Sequence, residues 1–497
     1  MTTDAADSLD ARIADWRGVA ELRDALRSGK VSARQLVDEA IARIEAGDRA
    51  LNAVVVRDFE RARSAATDAD RKLAAGDRSP LLGIPMTVKE SYDIAGLPTT
   101  WGIPAGRDWR PGADAVLVQR VKAAGAIVIG KTNVPFGLGD WQTYNEIYGT
   151  TNNPWDLGRS PGGSSGGAAV ALAAGYVPLE LGSDIGGSLR VPAHFCGVYA
   201  HKPSQALLPI RGHTPPGAPA SSRDVDLAVV GPMARNVADL TELFELLAGP
   251  DESIATGYRL ALPAPRHQRL QDFRVLVLTD HPDVPTSADV HSAIESLAAR
   301  LAERGVTVLR RHDALPDLGQ SARVYMQILN AFFGADIPTG VYARLQQHAA
   351  QLPPDDNSLA AARLRGMTLS HRDWVQADRQ RGGIIGRWRR LFGDIDVVLC
   401  PVVSTVAFPQ DQSPIEQRKL DVDGQAIPYV NQLAWPGLAT LAGLPATAIP
   451  IGLSPAGLPV GAQLIGPFLE DRTPLRFAAC IEREFGGFVR PPAVRAG

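Results

Sequence analysis

The spacing of apolar residues changes along the chain from a helical period to short uninterrupted runs. In residues 36–44 (LVDEAIARI) the apolar side chains fall on one helical face. The whole stretch 9–75 carries this kind of pattern and predicts helices, and the charged, alanine-rich stretch 51–78 predicts another exposed helix. We expect these N-terminal helices, residues 1–78, to cover the rest of the protein.

Short apolar runs bounded by turn residues predict buried strands in the remainder of the chain. These runs are residues 82–88, 126–129, 179–182, 273–278, 306–309, 396–400, 435–450 and 459–465. Helical patterns at 116–124, 168–174 and 290–303 lie between them, and a longer, irregular helical pattern covers 311–390. Strands that alternate with helices, without an internal repeat or a long linker, predict an α/β protein built as one continuous domain.

The composition is that of a globular protein with an ordinary core. Of the 497 residues, 45% are hydrophobic and 21% are charged, and the net charge is −3. This balance gives no field that favours nucleic acid or an anionic membrane. No apolar run reaches the ~18–20 residues that span a bilayer, and the acidic N-terminus lacks the apolar core of a signal peptide. We expect a cytoplasmic protein without a nucleic-acid or membrane partner, and a homodimer stays open.

Two motif matches lack the surroundings that their chemistry requires. Residues 125–132 (GAIVIGKT) match the phosphate-binding loop, but the four variable positions favour a strand and no helix pattern follows, so we expect a buried strand and a turn. Residues 162–166 (GGSSG) match the nucleophile elbow of serine esterases with Ser164 at the centre, yet a turn-rich coil precedes them. The same run is also typical of flexible linkers, so the residues alone leave its role open.

Two serine-bearing glycine loops, residues 161–167 and 182–188, suggest a different site together with Lys89. Lys89 ends an apolar strand pattern, and burial there would lower its pKa to roughly 7–8, as in lysines that act as bases. A neutral Lys89 could accept a proton from Ser164, which takes one from Ser188 as Ser188 attacks a carbonyl carbon. Consecutive amides in the second loop would hold the oxyanion. On the residues alone, a solvated surface lysine is an open alternative.

Three blocks that occur in order along the chain resemble the amidase signature family. They are residues 83–102 (GIPMTVKESYDIAGLPTTWG), 160–175 (SPGGSSGGAAVALAAG) and 182–204 (GSDIGGSLRVPAHFCGVYAHKPS). The similarity runs from about residue 80 to 480, and it is weak in the N-terminal helices and in 311–425. The resemblance implies a single α/β/α domain, residues 1–497, with a large central mixed β-sheet covered by helices. Within it, about 80–250 would form the catalytic core, and the variable helical region 311–425 would shape the substrate pocket.

The resemblance also implies roles for individual residues. Ser188 becomes the nucleophile, Ser164 the bridging serine on a cis peptide bond, and Lys89 the base. The remaining implied positions are the oxyanion-hole amides of Ile185, Gly186, Gly187 and Ser188, the acyl-side contact Leu138, and the supporting residues Ser165, Asp184 and Arg190. Independently of the resemblance, the aromatic residues Trp141 and Tyr144 are candidates for binding the substrate in the pocket wall. For both residues, a purely structural place in the hydrophobic core is an equally good interpretation.

The implied reaction is hydrolysis of the carbon–nitrogen amide bond of a small-molecule substrate through an acyl-enzyme on Ser188. Esters and carbamates would share the attack and the oxyanion, and the resemblance implies no metal and no other cofactor. Three alternatives stay open. They are a glutaminase subunit of an amidotransferase complex, a serine esterase of the α/β-hydrolase type with a nucleophile elbow, and a non-catalytic binding protein on this fold.

Overall fold

A computed structural model describes residues 16–221 and 223–492, and helices make up much of this part of the chain. The α-helices are α1 (Val19–Arg27), α2 (Ala33–Leu51), α3 (Phe59–Ala74), α4 (Val116–Ala123), α5 (Gly166–Ala173), α6 (Arg190–Cys196), α7 (Val237–Leu247), α8 (Glu252–Ala255), α9 (Ala288–Glu303), α10 (Leu318–Gly334), α11 (Thr339–Gln351), α12 (Leu359–Met367), α13 (His371–Asp394), α14 (Ala434–Leu441) and α15 (Arg472–Phe485). Short 3-10 helices occupy Pro104–Gly106, Phe136–Leu138, Leu270–Asp272 and Tyr429–Leu433. Among the described residues, no helix is both long and apolar enough to cross a membrane.

The strands of the same residues are short. They are β1 (Val54–Arg57), β2 (Pro85–Lys89), β3 (Ile127–Thr132), β4 (Tyr144–Asn145), β5 (Gly149–Thr150), β6 (Leu179–Asp184), β7 (Tyr199–Lys202), β8 (Val229–Ala234), β9 (Arg274–Val277), β10 (Thr307–Leu309), β11 (Val397–Pro401), β12 (Lys419–Val422), β13 (Gln425–Pro428), β14 (Ala446–Leu453) and β15 (Pro459–Ile465). Two of them end at candidate site residues, β2 at Lys89 and β6 at Asp184.

An eight-stranded mixed sheet forms the centre of the fold, in the order β10-β9-β11-β15-β14-β7-β8-β6. The strands β10, β9 and β11 run parallel to one another, and every further neighbouring pair is antiparallel. A three-stranded sheet in the order β1-β3-β2 lies beside it, and its β2 packs alongside β6. Helices flank the large sheet, which confirms the predicted α/β class and its central mixed sheet.

Both faces of the large sheet are buried, because alternate residues of its strands enter two different clusters of apolar side chains. In β9, Val275 and Val277 belong to the cluster that includes the apolar face of α9. Leu276, between them, belongs to the cluster that includes α10 and α13. The large sheet is therefore packed on both faces, which makes it a rigid support for the loops that follow its strands.

Several elements lie within a few residues of their predicted positions. The apolar run 82–88 corresponds to β2, and the unit β9–α9–β10 is the predicted pair of parallel strands with a crossover helix. Residues 127–132 of the phosphate-loop match form strand β3, so their amides lie in a sheet. Its Lys131 is buried and donates to Thr99 Oγ1 at 2.8 Å. The interpretation of this segment as a buried strand is confirmed.

Strand β1 is a first difference from the sequence-based expectation, because it interrupts the helix predicted over 51–78. The segment VVVR begins with three β-branched residues, which favour a strand, and its Val54 pairs with Thr132 of β3. The helix α3 that follows is not fully exposed, since its alanine face, including Ala62, is buried. Residues 9–15 of the predicted helical stretch lie outside the described residues.

The run 435–450 is a second difference, because the predicted strand is wrong for its first half. This half is helix α14, and strand β14 begins only at Ala446. All eight residues of α14 are buried. A helix that is apolar on every side has no polar face to reveal its period, so a buried strand and a buried helix look alike in sequence.

Candidate active site

The amine of Lys89 is surrounded by three serine hydroxyls. Lys89 ends β2 and is fully buried, which excludes the solvated surface lysine. Its Nζ lies 2.7 Å from Ser164 Oγ, 3.0 Å from Ser165 Oγ and 2.8 Å from Ser183 Oγ. A lysine amine has three hydrogen-bonding positions, so these contacts occupy all of them. Sequence reasoning missed Ser183, although it lies inside the predicted loop 182–188.

Burial controls the charge of this amine. It lowers the pKa of Lys89 to about 7, against the opposing effect of the Asp184 and Glu180 carboxyls, which raise it. A substantial fraction of Lys89 is therefore neutral near neutral pH. Glu180 is itself fully buried, and burial raises its pKa to about 8, although its carboxyl accepts a hydrogen bond from the Leu181 amide at 2.9 Å. Glu180 is accordingly mostly uncharged at neutral pH.

The first glycine loop presents Ser164 to Lys89 from a buried turn. The peptide bond between Gly163 and Ser164 is cis, as the resemblance implies. Glycine is required at position 163, because a Cβ there would overlap the carbonyl oxygen of Asp140. Helix α5 begins directly afterwards at Gly166. The loop is therefore an ordered part of the site and not a flexible linker.

Residues 182–184 of the second glycine loop are the end of β6, and the turn that follows carries Ser188, which faces a small pocket. The amide of Ser165 donates to the Ser188 carbonyl at 3.2 Å, and this bond joins the two loops. Ser188 is almost fully buried, yet it is one of the residues that line a cavity of about 80 Å³. A group bound in this cavity therefore lies next to Ser188.

One of the four predicted oxyanion-hole amides is already engaged. The Gly187 amide donates to Asp184 Oδ1 at 2.8 Å, and its role in the oxyanion hole stays a prediction. In the part of the chain that the structure describes, the amides of Ile185, Gly186 and Ser188 donate to no backbone carbonyl. Ile185, Gly186 and Ser188 are thus the residues of the predicted set whose amides have no partner of this kind.

Two side chains hold the carbonyl groups of the same loop. The Tyr325 hydroxyl donates to the Ile185 carbonyl at 2.7 Å, and Trp141 Nε1 donates to the Gly186 carbonyl at 2.9 Å. Because the C=O and N–H of a trans peptide unit point in opposite directions, these bonds also set the directions of the Gly186 and Gly187 amides. Sequence reasoning missed Tyr325, which lies in a segment without any local motif.

A buried ion pair between Asp184 and Arg190 anchors the second loop. Arg190 Nη2 lies 2.9 Å from Asp184 Oδ1 and Nε lies 3.0 Å from Oδ2, with both side chains fully buried. The guanidinium also donates to Gln463 Oε1 at 2.7 Å and to Thr440 Oγ1 at 2.9 Å. Burial alone would raise the pKa of the Asp184 carboxyl, but the Arg190 guanidinium holds that pKa below its usual value. Asp184 is therefore charged at neutral pH.

The pocket beside Ser188 has a mostly apolar wall. Its lining residues are Leu138, Gly139, Asp140, Trp141, Ile185, Ser188, Leu329, Phe333, Ile415, Tyr429, Val430 and Leu433. The predicted substrate contacts Leu138 and Trp141 are both part of this wall. Tyr144 is not among the lining residues, and its hydroxyl instead accepts a hydrogen bond from Arg418 at 2.7 Å. The structure thus brings two of the three predicted substrate-binding residues to the pocket.

The histidines do not form the pair that a nucleophile elbow requires. Ser164, the centre of the elbow match, is hydrogen-bonded to Lys89. His213 Nε2 is hydrogen-bonded to Ser91 Oγ at 2.9 Å. An amine therefore takes the place next to Ser164 that an imidazole takes in an esterase elbow. Across the described ranges, no group of three or more His, Cys, Asp or Glu side chains is arranged to hold a metal ion.

Comparison with known proteins identifies relatives of this chain. A family model described as Amidase matches residues 35–475. The chain belongs to the amidase signature family. The putative amidase AmiB2 of Mycobacterium tuberculosis (strain ATCC 25618 / H37Rv) is 35% identical over 489 residues, which cover 96% of this chain and 98% of that protein. The A-type subunit of glutamyl-tRNA(Gln) amidotransferase from Roseiflexus castenholzii is 33% identical over 506 residues, which cover 96% of this chain and 97% of that protein.

The amidase signature fold is shared as well. A solved bacterial aryl acylamidase of the family superposes with a TM-score of 0.78 over 95% of this chain and 96% of that one, at 24% sequence identity. The resemblance of the three sequence blocks to the amidase signature family is confirmed. The protein is a hydrolase of this family, an enzyme that acts on amide carbon–nitrogen bonds.

We expect Asp184→Asn to destabilise the protein strongly, because it leaves the Arg190 guanidinium buried without a counter-charge. Breaking one partner of a buried ion pair costs about 3–5 kcal/mol. Because folding lowers the pKa of Asp184, its contribution is present above the unfolded value of about 3.9 and is lost as the pH falls through the folded value. Thermal unfolding followed by circular dichroism at neutral and acid pH measures both effects.

The matched control for this experiment is Asp38→Asn, which removes a carboxylate from half-exposed ion pairs with Arg34 and Arg63. Exposed pairs contribute about 0–1 kcal/mol, so this variant should unfold near the wild-type temperature. If both variants lowered the unfolding temperature by the same amount, the buried pair would contribute no more to stability than the half-exposed ones.

Proposed function

We propose that this protein hydrolyses amide bonds through a Ser188–Ser164–Lys89 triad and an acyl-enzyme intermediate. The observation that carries the proposal is the buried amine of Lys89, 2.7 Å from Ser164 Oγ, beside a pocket lined by Ser188. Burial keeps a substantial fraction of this amine neutral near neutral pH, and a neutral amine can act as a general base.

Acylation moves one proton along the two serines to the lysine. Neutral Lys89 accepts the proton of Ser164 while Ser164 accepts that of Ser188, whose oxygen attacks the amide carbon. For this step Ser188 Oγ must approach Ser164 Oγ, and such bonds are often long in a free enzyme and tighten around the substrate. The carbonyl oxygen becomes negatively charged, and amides from Ile185, Gly186 and Ser188 stabilise it.

The tetrahedral intermediate breaks down when the amine leaves. Protonated Lys89 returns the proton through Ser164 to the leaving nitrogen, and an ester remains on Ser188. Water then attacks this ester with the same groups acting as base, which releases the carboxylic acid and restores the free serine. Esters and carbamates fit the same scheme, and no cofactor takes part in its steps.

We further propose that one continuous domain, residues 1–497, carries this chemistry in three parts. These are an N-terminal cover, a catalytic core and a pocket-shaping variable region, at residues 1–78, about 80–250 and about 311–425. In its described residues, 16–78, the cover is helical apart from β1 and short connections. The variable region contributes Leu329, Phe333 and Ile415 to the pocket wall, which supports its assignment to substrate selection.

The proposed substrate is a small uncharged amide, hydrolysed by this protein on its own. The pocket wall is mostly apolar, and its carboxylate, Asp140, is already paired with Arg418. Glutamine would bring an ammonium and a carboxylate, which require counter-charges when they leave water. A second candidate function is that of a glutaminase subunit in an amidotransferase complex, which the 33% identity to part of a glutamyl-tRNA(Gln) amidotransferase favours.

Ser188→Ala should abolish amide hydrolysis and covalent labelling by a fluorophosphonate, because the attacking oxygen is gone. The expected loss in kcat is more than about 10⁴-fold, by analogy with other activated serines. The matched control is Ser28→Ala, at an exposed serine after α1, which should keep full activity. A covalent adduct that forms on Ser188→Ala at the wild-type rate would show that another residue is the nucleophile.

The dependence of kcat/KM on pH should report the Lys89 amine. We expect kcat/KM to rise with pH and to level off above about 7, because only the neutral amine accepts a proton. Lys89→Ala should lower kcat/KM by about 10²–10⁴-fold and remove this acid limb. The exposed Lys122→Ala serves as the control and should retain it. An acid limb that persists unchanged in Lys89→Ala would assign the base to another group.

Initial rates on a set of amides separate the two candidate functions. The purified chain should hydrolyse butanamide, an anilide or a carbamate at least about tenfold faster than glutamine, because the wall offers no unpaired charge for glutamine. Size in solution is measured on the same preparation. Ammonia release from glutamine that exceeds release from every other amide would favour the glutaminase function.

A further inference from the structure

A buried charge network borders the pocket at Asp140. Arg418 Nη1 pairs with Asp140 Oδ2 at 2.5 Å, and the Tyr429 hydroxyl donates to Oδ1 at 2.7 Å. The side chains of Arg418 and Asp140 are only 2% and 6% exposed. Arg418 also donates to the Ser413 carbonyl at 2.6 Å and to the Tyr144 hydroxyl at 2.7 Å. Both carboxylate oxygens of Asp140 therefore have a donor, one of them charged.

This network joins two distant parts of the chain at the pocket wall. Asp140 directly precedes Trp141, whereas Arg418 and Tyr429 stand on either side of the β12–β13 hairpin. Asp140, Trp141 and Tyr429 line the same cavity as Ser188. The rings of Trp141 and Tyr429 are 5.7 Å apart, and the Arg418 guanidinium lies 5.4 Å from the Tyr429 ring. A substrate group in the cavity thus lies beside the Asp140 carboxylate. The charge of this carboxylate is balanced by Arg418, which does not line the cavity.

The ion pair between Asp140 and Arg418 determines whether charged substrate groups can bind in the cavity. Burial raises the pKa of the Asp140 carboxyl and Arg418 opposes this effect, so without Arg418 the carboxylate is ionised only beside another positive group, which it attracts. An unpaired guanidinium attracts a negative group instead. With the pair intact, the wall presents apolar side chains and no net charge. A charged substrate group would lose its water without gaining a partner, whereas an apolar group loses nothing by entering.

We infer that Arg418 is a specificity-determining residue, which neutralises Asp140 so that the pocket beside Ser188 selects uncharged apolar groups over charged ones. The inference rests on the proposed function, because it takes Ser188 as the nucleophile. It extends that function by assigning the selection to one charge pair outside the triad. The substrate class is that of amides with a small apolar group next to the reacting carbonyl.

Three fluorophosphonates with an alkyl, an aminoalkyl or a carboxyalkyl tail of equal length test this inference on the full-length protein. The measurement is the second-order rate constant of covalent labelling at neutral pH. The wild-type protein should react fastest with the alkyl tail. Arg418→Met should shift the preference towards the aminoalkyl tail, and Asp140→Asn towards the carboxyalkyl tail, each by about tenfold or more.

The double variant Asp140→Asn/Arg418→Met removes both charges and should restore the alkyl preference. It keeps the test decisive where a single variant folds poorly, because no unpaired charge is left buried. The matched control is Arg381→Met, which takes an arginine from its ion pair with Asp226, outside the pocket wall, and should keep the wild-type preference.

The labelling rates test the role of Arg418 and the role of Ser188 separately. The same order of the three rate constants in the wild type, the two single variants and the double variant would overturn the role of Arg418, while the triad would stand. Labelling of Ser188→Ala at the wild-type rate would overturn the proposed nucleophile, whatever the preference for the tails.

Discussion

The removal of the Lys89 amine from water is the constraint on which the other features of the site depend. A buried amine needs hydrogen-bond partners, and hydroxyl groups supply them whether the amine is charged or neutral, whereas a carboxylate would favour the charged form. Three serines from two glycine loops fill this need where β2 packs alongside β6. The fold thereby lowers the pKa of this lysine amine to about 7, which the proposed role of Lys89 as a base requires.

Two carboxyl groups of strand β6 show how the surroundings divide charge. Asp184 is paired with Arg190 and stays ionised, whereas burial raises the pKa of Glu180 to about 8. One strand thus provides a permanent negative charge that anchors a loop and a mostly neutral carboxyl close to Lys89. An ionised Glu180 would favour the ammonium form of Lys89, so a neutral Glu180 helps to keep the Lys89 amine in its neutral form.

The local motifs could be predicted from the sequence, and the contacts between distant segments could not. Lys89 and Ser164 stand out because a strand pattern and a glycine loop place them, and the structure joins them by a hydrogen bond. The Asp140–Arg418 pair spans 278 residues and has no local pattern. In the fold, apolar runs indicated six of the eight strands of the central sheet, but they missed β7, β8 and also β1, which lies among charged neighbours. The pattern could not distinguish α14 from a strand, because burial on all sides removes the period.

The hydrogen bond from the Gly187 amide to Asp184 bears on the motions of the second glycine loop. A segment with adjacent glycines samples many backbone conformations when nothing restrains it. Here Asp184, Tyr325 and Trp141 each hold a peptide group of the loop. The conformational entropy of the loop is therefore lost once, during folding, and not again each time a transition state forms. The peptide dipoles of the loop are therefore fixed before any ligand binds, as the proposed oxyanion hole requires.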